Sequence, residues 1–297
     1  MKQIAVRGAE RLKKILSHQR QSSSAIRAAL RQRQKAGLPV LCNLGCGVRH
    51  HPAWLNIDHN GDGRDVLAWD LQAGLPLPDA CCDAVYASHV IEHFDRGGAR
   101  RFLAECNRIM KPGAIVRLVV PDLEGIARTY LRCLEAVERG EVGSAERYDW
   151  ITLELIDQLV RHQSGGEMLK LWSREEVPAE DFIAQRVGTE YRRARKHLRG
   201  RRISEMPRKD PTAVGRFRLG GEVHQWMYDR YSLGRLFAES GFAEIQVRGA
   251  AESSIDGFAS YGLDTEPDGT VYKPDSLFME GAKSRESPVN PELQSRQ

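Results

Sequence analysis

No stretch of this chain approaches the roughly 18 consecutive apolar residues of a membrane-spanning helix, and its start lacks an apolar run of signal-peptide length. A cytosolic protein is the expectation. Aromatic residues make up only 7% of the chain, and Phe217 alone interleaves with the bases of residues 192–218. A stacking platform for single-stranded nucleic acid is therefore not expected. The cysteines, Cys42, Cys46, Cys81, Cys82, Cys106 and Cys133, show neither paired metal-ligand spacing nor the density of a small disulfide scaffold. Reduced, packed thiols follow. A third glycine is missing as well. After Gly45 and Gly47, His50 stands where a dinucleotide fingerprint places glycine, and Asp58 arrives well before the spacing of about 20 residues that such a fingerprint uses. A nicotinamide cofactor is disfavoured.

What is present is an apolar run that breaks into a glycine turn. Leu41 to Leu44 read as a buried strand, and Gly45 and Gly47 allow a sharp bend with no side chain between main chain and ligand. The next apolar run, from Trp54, ends in Asp58, which can accept two ribose hydroxyls. The interval from Gly47 to Asp58 is too short for a crossover helix plus a strand, so only a helical turn is expected there.

Further along, Asp65 to Asp70 read as a third strand, and the proline-flanked Leu75–Pro78 segment is expected to run extended across the mouth of the sheet. Ala84 to Ala87 form a fourth strand that ends at Ser88 and His89, beyond the carboxyl end of a strand, where open α/β sheets bind ligands. Gly97-Gly98 open a helix with Phe102, Leu103, Cys106, Ile109 and Met110 on one face, and Lys111-Pro112-Gly113 stops it before a fifth strand, Ile115 to Val120. Asp122 suits the N-cap of a helix closing at Gly140. Residues 141–220 break the alternation and read as a helical lid, with Ile151, Leu155, Ile156 and Leu159 marking one helix and Gly165-Gly166 a break. Ser232 is the expected cap of a later helix ended by Gly241, after which Ala243 to Val247 add a strand. The fold class is α/β, a Rossmann-like doubly wound sheet with a helical insertion. Its parts are a basic N-terminal helix (1–37), a ligand-binding core (38–140), the lid (141–220), the rest of the core (221–281) and a polar, disordered tail (282–297).

The net charge of +4 is mild but uneven, with bases crowding residues 2–35 and 192–218. Ile4, Leu12, Ile15 and Leu16 fall near helical spacing among Arg11, Lys13 and Lys14. This suits weak contact with an anionic membrane surface, an acidic glycan or nucleic acid, against the plainer and favoured reading of a solvated helix face.

Asn43-Leu44-Gly45-Cys46-Gly47, Asp58, Asp70-Leu71, Leu75 to Asp79, Asp83 to His93 and Leu103 to Pro121 occur in an order and spacing that resembles the class I S-adenosylmethionine-dependent methyltransferases. The nearest likeness is to the type 11 members found in bacterial surface-glycan clusters, whose first helix is shortened. The likeness spans about residues 38–138 and resumes near His224 to Val247. It implies S-adenosylmethionine as cofactor, with Gly45 and Gly47 approaching its methionine and ribose part, Asp58 on the ribose, and Asp70 with the Leu71 backbone at the adenine edge. Asn43, Cys46 and Ser88 complete the implied cofactor set. The family commonly has an acidic residue where Asn43 stands. The alternative for Asp58 and Asp70 is that each merely ends a strand in a turn.

Methyl transfer asks the protein to align donor and acceptor and, where needed, to take up a proton. His89 is the candidate base or acceptor-positioning group, against a histidine that only packs at a strand end. His224, in the His224-Gln225-Trp226-Met227-Tyr228-Asp229 segment, is a second candidate base. Trp226 and Tyr228 suit either an acceptor wall or a packing seam, with core packing favoured for Trp226. His89-Val90-Ile91-Glu92-His93 also matches the H-x-x-E-H helix signature of a zinc peptidase group, giving a metal-dependent hydrolase as the rival function. Ubiquinone-biosynthesis O-methyltransferases carry a metal-binding E-x-x-E-H in the matching place, but no metal ligand is assigned. A non-catalytic S-adenosylmethionine-binding protein is the remaining alternative. The leading expectation is a methyltransferase acting on a hydroxyl or carboxyl of a small molecule or glycan precursor, with no nucleic-acid partner.

Overall fold

The computed structural model describes residues 21–203 and 210–285. The Ile4–Leu16 amphipathic stretch and the tail beyond residue 285 lie outside the described residues. Seven strands form one sheet in the order β3-β2-β1-β4-β5-β7-β6. They are β1 (Leu41–Leu44), β2 (Leu55–Asp58), β3 (Leu67–Ala68), β4 (Cys82–Ser88), β5 (Met110–Pro121), β6 (Phe242–Arg248) and β7 (Ser276–Lys283). All neighbours are parallel except those of β7, which runs antiparallel to both β5 and β6.

The alternating side chains of the strands feed two cores. On one face Cys42, Leu44, Val85, Ala87, Val116 and Leu118 pack with Ile26 and Leu30 of α1 (residues 21–35), with Phe102 and Leu103 of α2 (Arg96–Ile109), and with Leu233 and Phe237 of α9 (Arg230–Glu239). On the other face Leu41, Ala84, Tyr86, Val119 and Phe278 meet Trp54, Ile255, Phe258 and Leu263. As the short interval requires, no helix forms between Gly47 and Leu55. The chain between β6 and β7 covers that face instead.

This β6–β7 excursion is anchored by Arg117, which lies in the middle of β5 and is fully buried. Its Nε donates to Asp264 Oδ2 at 2.8 Å and its Nη1 to Glu280 Oε1 at 2.9 Å. The remaining donors reach the carbonyls of Glu252, Gly249 and Ala250 at 2.9, 3.0 and 3.3 Å. The guanidinium also sits 4.6 Å over the Phe258 ring. Tyr86 donates its hydroxyl to Asp264, and Ser253 and the Ser254 N–H donate to Glu280. Burial pushes the Asp264 carboxyl up from its usual value, against the pull of Arg117.

Helices α3 (Leu123–Glu138), α4 (Ser144–Val160), α5 (Gly166–Trp172), α6 (Glu180–Val187), α7 (Thr189–Leu198) and α8 (Pro211–Arg218) follow β5. The middle of this set has its own core of Trp150, Met168, Trp172, Ile183 and Tyr191. It joins the excursion through Lys273 Nζ to Glu190 at 2.8 Å and Thr189 N to Tyr272 O at 3.1 Å.

Several expectations are corrected. The third strand is only Leu67–Ala68, because Asp65 and Asp70 are taken up by turns at either side. Leu75–Pro78 does not cross the mouth of the sheet. Glu105 accepts from Leu75 N–H at 2.8 Å, and Arg108 binds the Leu75 and Leu77 carbonyls, so the segment is strapped beneath α2 with Leu75 and Leu77 buried. Helix α2 starts at Arg96 with Asp95 as its cap. The cap of α9 is Asp229, with Ser232 closing the reciprocal half of a capping box. Strand β4 opens at Cys82, ahead of the expected start at Ala84. Strand β7 was not anticipated, and it carries the core to Lys283, past residue 281.

Replacing Arg117 with methionine is expected to destabilise the fold by about 3–5 kcal/mol, because Asp264 and Glu280 would be left buried without a counter-charge. Urea denaturation followed by circular dichroism measures this. An unchanged midpoint would show that the excursion holds without the guanidinium.

Candidate functional site

The strand order reverses between β1 and β4, and an open α/β sheet places its ligand crevice at the carboxyl ends of such neighbours. Beyond β1, Gly45 (φ 69°) and Gly47 (φ 50°) both adopt left-handed backbone, where a side chain would be strained. Gly45 N–H donates to Ile57 O at 2.7 Å, which folds the turn back over β2. A Cβ on Gly45 would lie 2.3 Å from Val90 Cγ2, so this glycine makes room for the loop after β4. At Gly47 a Cβ would meet nothing within 4 Å. Its bare main chain faces open space.

Asp58, at the end of β2, accepts from Gly47 N–H through Oδ2 at 2.9 Å and from Asn60 N–H through Oδ1 at 2.9 Å. The carboxylate therefore stands beside the glycine turn, and each oxygen keeps a further lone pair for a ligand hydroxyl. Cys46 is buried within the turn. Burial, with the charge of Asp58, pushes its thiol up to about 12, so it packs as a neutral side chain.

Asn43 is placed differently from the other turn residues. Fully buried on β1, it donates through Nδ2 to Arg49 O at 3.0 Å and Asn56 Oδ1 at 3.2 Å, while its own Oδ1 finds no donor. Its amide ties the loop after the turn to β2. Asp70 is exposed and caps the short turn Leu71–Ala73 by accepting from Gln72 N–H at 2.9 Å. Leu71 reaches a cavity of about 630 Å³ that is also lined by His93, Phe94, Arg101, Arg218 and Gln225. A second cavity, of about 660 Å³, opens beside Val48, Arg49 and His50 on the far side of the turn. Neither includes Gly45, Gly47 or Asp58 in its lining.

Ser88 ends β4, and His89 follows with φ 54°, a left-handed conformation uncommon for any residue but glycine. Its N–H is held by Val119 O at 2.8 Å. The imidazole is fixed from both sides, with Nδ1 at 3.2 Å from Glu92 Oε1 and Nε2 at 3.0 Å from Ser276 Oγ. Burial, with Lys273 nearby, pulls its pKa below the usual histidine value. Burial alone would raise Glu92, but the close approach of His89, with His93 and His224 beyond, lowers it to about 2. Carboxylate at Nδ1 leaves the Nε2 lone pair as the proton-accepting one, on which the Ser276 hydroxyl donates.

His224 does not face His89's hydroxyl partner. It is buried against His93, ring centroids 4.8 Å apart and edge-on, and burial lowers its pKa to about 3. Gln225 N–H and Trp226 N–H donate to Glu92 O at 2.7 and 3.2 Å, which docks this segment on the loop after β4. Trp226 is 41% exposed beneath the Arg96 guanidinium, 5.0 Å away, while Tyr228 is buried. The core-packing role thus belongs to the tyrosine.

The hydrolase reading loses its geometry. Its motif needs both histidines on one face of a helix, whereas here His89 ends a strand and only a single tight helical turn, Ile91–His93, follows. Sequence reasoning missed Ser276, Lys273 and Glu190, which β7, the chain just before it and α7 bring to the His89 side of the sheet. No local motif marks any of them.

Residues 46–118 match the family model of a methyltransferase domain. Among curated proteins no sequence match is found. Solved structures with a similar arrangement include an S-adenosylmethionine-dependent methyltransferase from Archaeoglobus fulgidus, 12% identical with TM-score 0.35, over 87% of this chain and 94% of that one. Human N-acetylserotonin methyltransferase in complex with S-adenosylmethionine is 12% identical with TM-score 0.35, over 93% of this chain and 56% of that one. These overlaps are loose and carry no argument beyond the match to the family model. The residues present fit the cofactor, since Gly47 leaves its ligand side open and Asp58 sits beside it with spare acceptor capacity. Residues 46–118, which hold the second glycine of the turn, Asp58 and the strand ending at His89, are thus similar to a methyltransferase domain and lie within a sheet of Rossmann-like order.

Proposed function

We propose that this enzyme methylates a hydroxyl or carboxyl of a small polar molecule or glycan precursor in the cytosol, with His89 as base or acceptor-positioning group. The observation that carries the reading is the fixed orientation of His89 at the end of β4, between Glu92 and Ser276. The chemistry that S-adenosylmethionine supplies is an electrophilic sulfonium methyl, and S-adenosylhomocysteine remains after transfer. The Glu92 charge, 3.2 Å from Nδ1, favours the His89 proton on that nitrogen, so a hydroxyl acceptor loses its proton to Nε2, directly or through the Ser276 hydroxyl. Asp58 and the Gly47 main chain hold the donor side. A carboxylate acceptor needs no base, and His89 then only orients it.

The mixed lining of the 630 Å³ cavity, with Arg101, Arg218 and Gln225 beside Phe94, supports a polar acceptor rather than an apolar one. The half-exposed Trp226 adds an aromatic surface of the kind that stacks on sugars. Among the described residues no helix is long and apolar enough to cross a membrane.

Incubation with S-adenosylmethionine and a panel of glycans and polar metabolites should release S-adenosylhomocysteine with at least one acceptor. Donor binding without turnover across the panel would favour a non-catalytic binding protein. Asp58→Ala should weaken donor affinity more than about tenfold, the loss expected for a charged hydrogen-bonding group. Calorimetry showing wild-type affinity would count against the assigned pocket. For His89→Ala the expected result is a fall in kcat of about a hundredfold or more with donor affinity nearly unchanged. Equal losses in both would make the histidine structural.

A further inference from the structure

Beside Glu92 stand two histidines, His93 and His224, to which the proposed transfer gives no role. Glu92 has no exposed surface and His224 is 4% exposed, yet neither carboxylate oxygen of Glu92 has a hydrogen-bond donor in good geometry among the described residues. The Nδ1 atoms of His93 and His224 also lack partners. One ligand atom each from Glu92, His93 and His224 lies within 4.8 Å of the other two. Among the described residues no lysine or arginine forms an ion pair with Glu92, and the nearest titratable group is His89 at 3.2 Å.

An ionised carboxylate without a counter-charge is costly to bury, and each orphaned imidazole nitrogen adds to that cost. A cation between the three side chains satisfies all of these atoms at once. The donor set also states which cation. Two imidazoles and one carboxylate suit a borderline divalent ion such as Zn²⁺ or Co²⁺, whereas Mg²⁺ and Ca²⁺ prefer all-oxygen shells. Bonds of 2.0–2.1 Å in a tetrahedral zinc site hold ligand atoms roughly 3.4 Å apart, so closure by up to about 1.4 Å completes the geometry. The backbone is already set for it. Gln225 and Trp226 donate to Glu92 O, and His224 N–H is fixed by Gln158 O at 3.0 Å, so the contributing segments are locked together before any ion arrives. His89, with Nδ1 3.2 Å from the ligating carboxylate, takes the outer position that commonly orients a metal ligand.

We propose that Glu92, His93 and His224 form a binding site for a zinc-type divalent cation. With three protein ligands the ion keeps a free coordination position. His93 also lines the 630 Å³ cavity, so the ion sits at its wall. That this position receives an acceptor oxygen rests on the function proposed above; binding of the ion does not.

The test uses the whole chain, stripped with chelator and dialysed, without donor or acceptor. Titration with Zn²⁺ by calorimetry, and with Co²⁺ by visible absorption, should show about one ion per chain and the intense bands of a four-coordinate cobalt site. His93→Ala, at the least buried of the ligands, and Glu92→Gln should each lower affinity at least about a hundredfold, with circular dichroism confirming that the chain remains folded. Should Glu92→Gln fail to fold, His93→Ala and the wild-type cobalt spectrum decide the matter. Absence of saturable Zn²⁺ and Co²⁺ binding to the folded wild type would overturn the site. Wild-type affinity in the His93→Ala protein would do the same, by placing the ion elsewhere. Because the readout needs no turnover, its failure leaves the methyltransferase reading standing.

Discussion

The constraint on which the rest of the structure depends is the brevity of the connection from Gly47 to Leu55. A doubly wound sheet needs cover on both faces, and a full helix after β1 would supply part of it. Here the interval forms only turns, so Leu41, Ala84 and Tyr86 need another partner. The β6–β7 excursion provides one, and Arg117 is what makes it stay. A guanidinium at the centre of a sheet is tolerable because each of its donors is used and two carboxylates offset its charge. Packing the excursion by apolar contacts alone would bury Phe258 and Leu263 equally well but would leave its backbone carbonyls near the sheet without donors.

The same excursion reaches both halves of the site. On the glycine side, Arg49 donates to Thr265 O at 2.9 Å, pairs with Glu266 at 3.3 Å and lies 4.0 Å over the Tyr272 ring. On the other side, the chain enters β7 at Ser276, whose hydroxyl meets His89. Lys273, between those two points, pairs with Glu190 of α7. The element that compensates for a missing helix thus also fixes the turn, the imidazole and the helical insertion relative to one another.

Much of this was legible from sequence because it depends on local rules. The glycine turn, Asp58, the strand ending at His89, and the caps at Asp122 and Gly241 follow from residue types whose preferences hold whatever surrounds them. Strand β7 was not legible. Its sequence, SLFMEGAK, places Glu280 at a position that points into protein, and a buried glutamate breaks the apolar pattern unless Arg117 is known to lie opposite. The pairing partner is more than a hundred residues away, and no period reveals it. Trp226 and Tyr228 were inverted for a similar reason. Their spacing says that they share a face, but which of them meets the core depends on Arg96, which comes from another helix and covers the tryptophan.

The His89–His93 stretch shows how far a motif can mislead when the element beneath it changes. Inside an α-helix, the first and last histidines of H-x-x-E-H are four residues apart and point the same way. Here His89 has left-handed backbone and a single tight turn follows, so the three polar side chains diverge. His89 turns to Ser276, His93 to His224, and Glu92 lies between them with an oxygen near each group. The carboxylate is therefore the shared element of the two arrangements. Through Nδ1 it sets which nitrogen of His89 can take a proton, and it supplies the only negative charge in the cluster formed with His93 and His224. A neutral glutamine at that position would keep the shape but could neither fix the imidazole tautomer as firmly nor balance a cation. The chemistry proposed for the end of β4 thus depends less on His89 itself than on the ionisation of a side chain with no exposed surface.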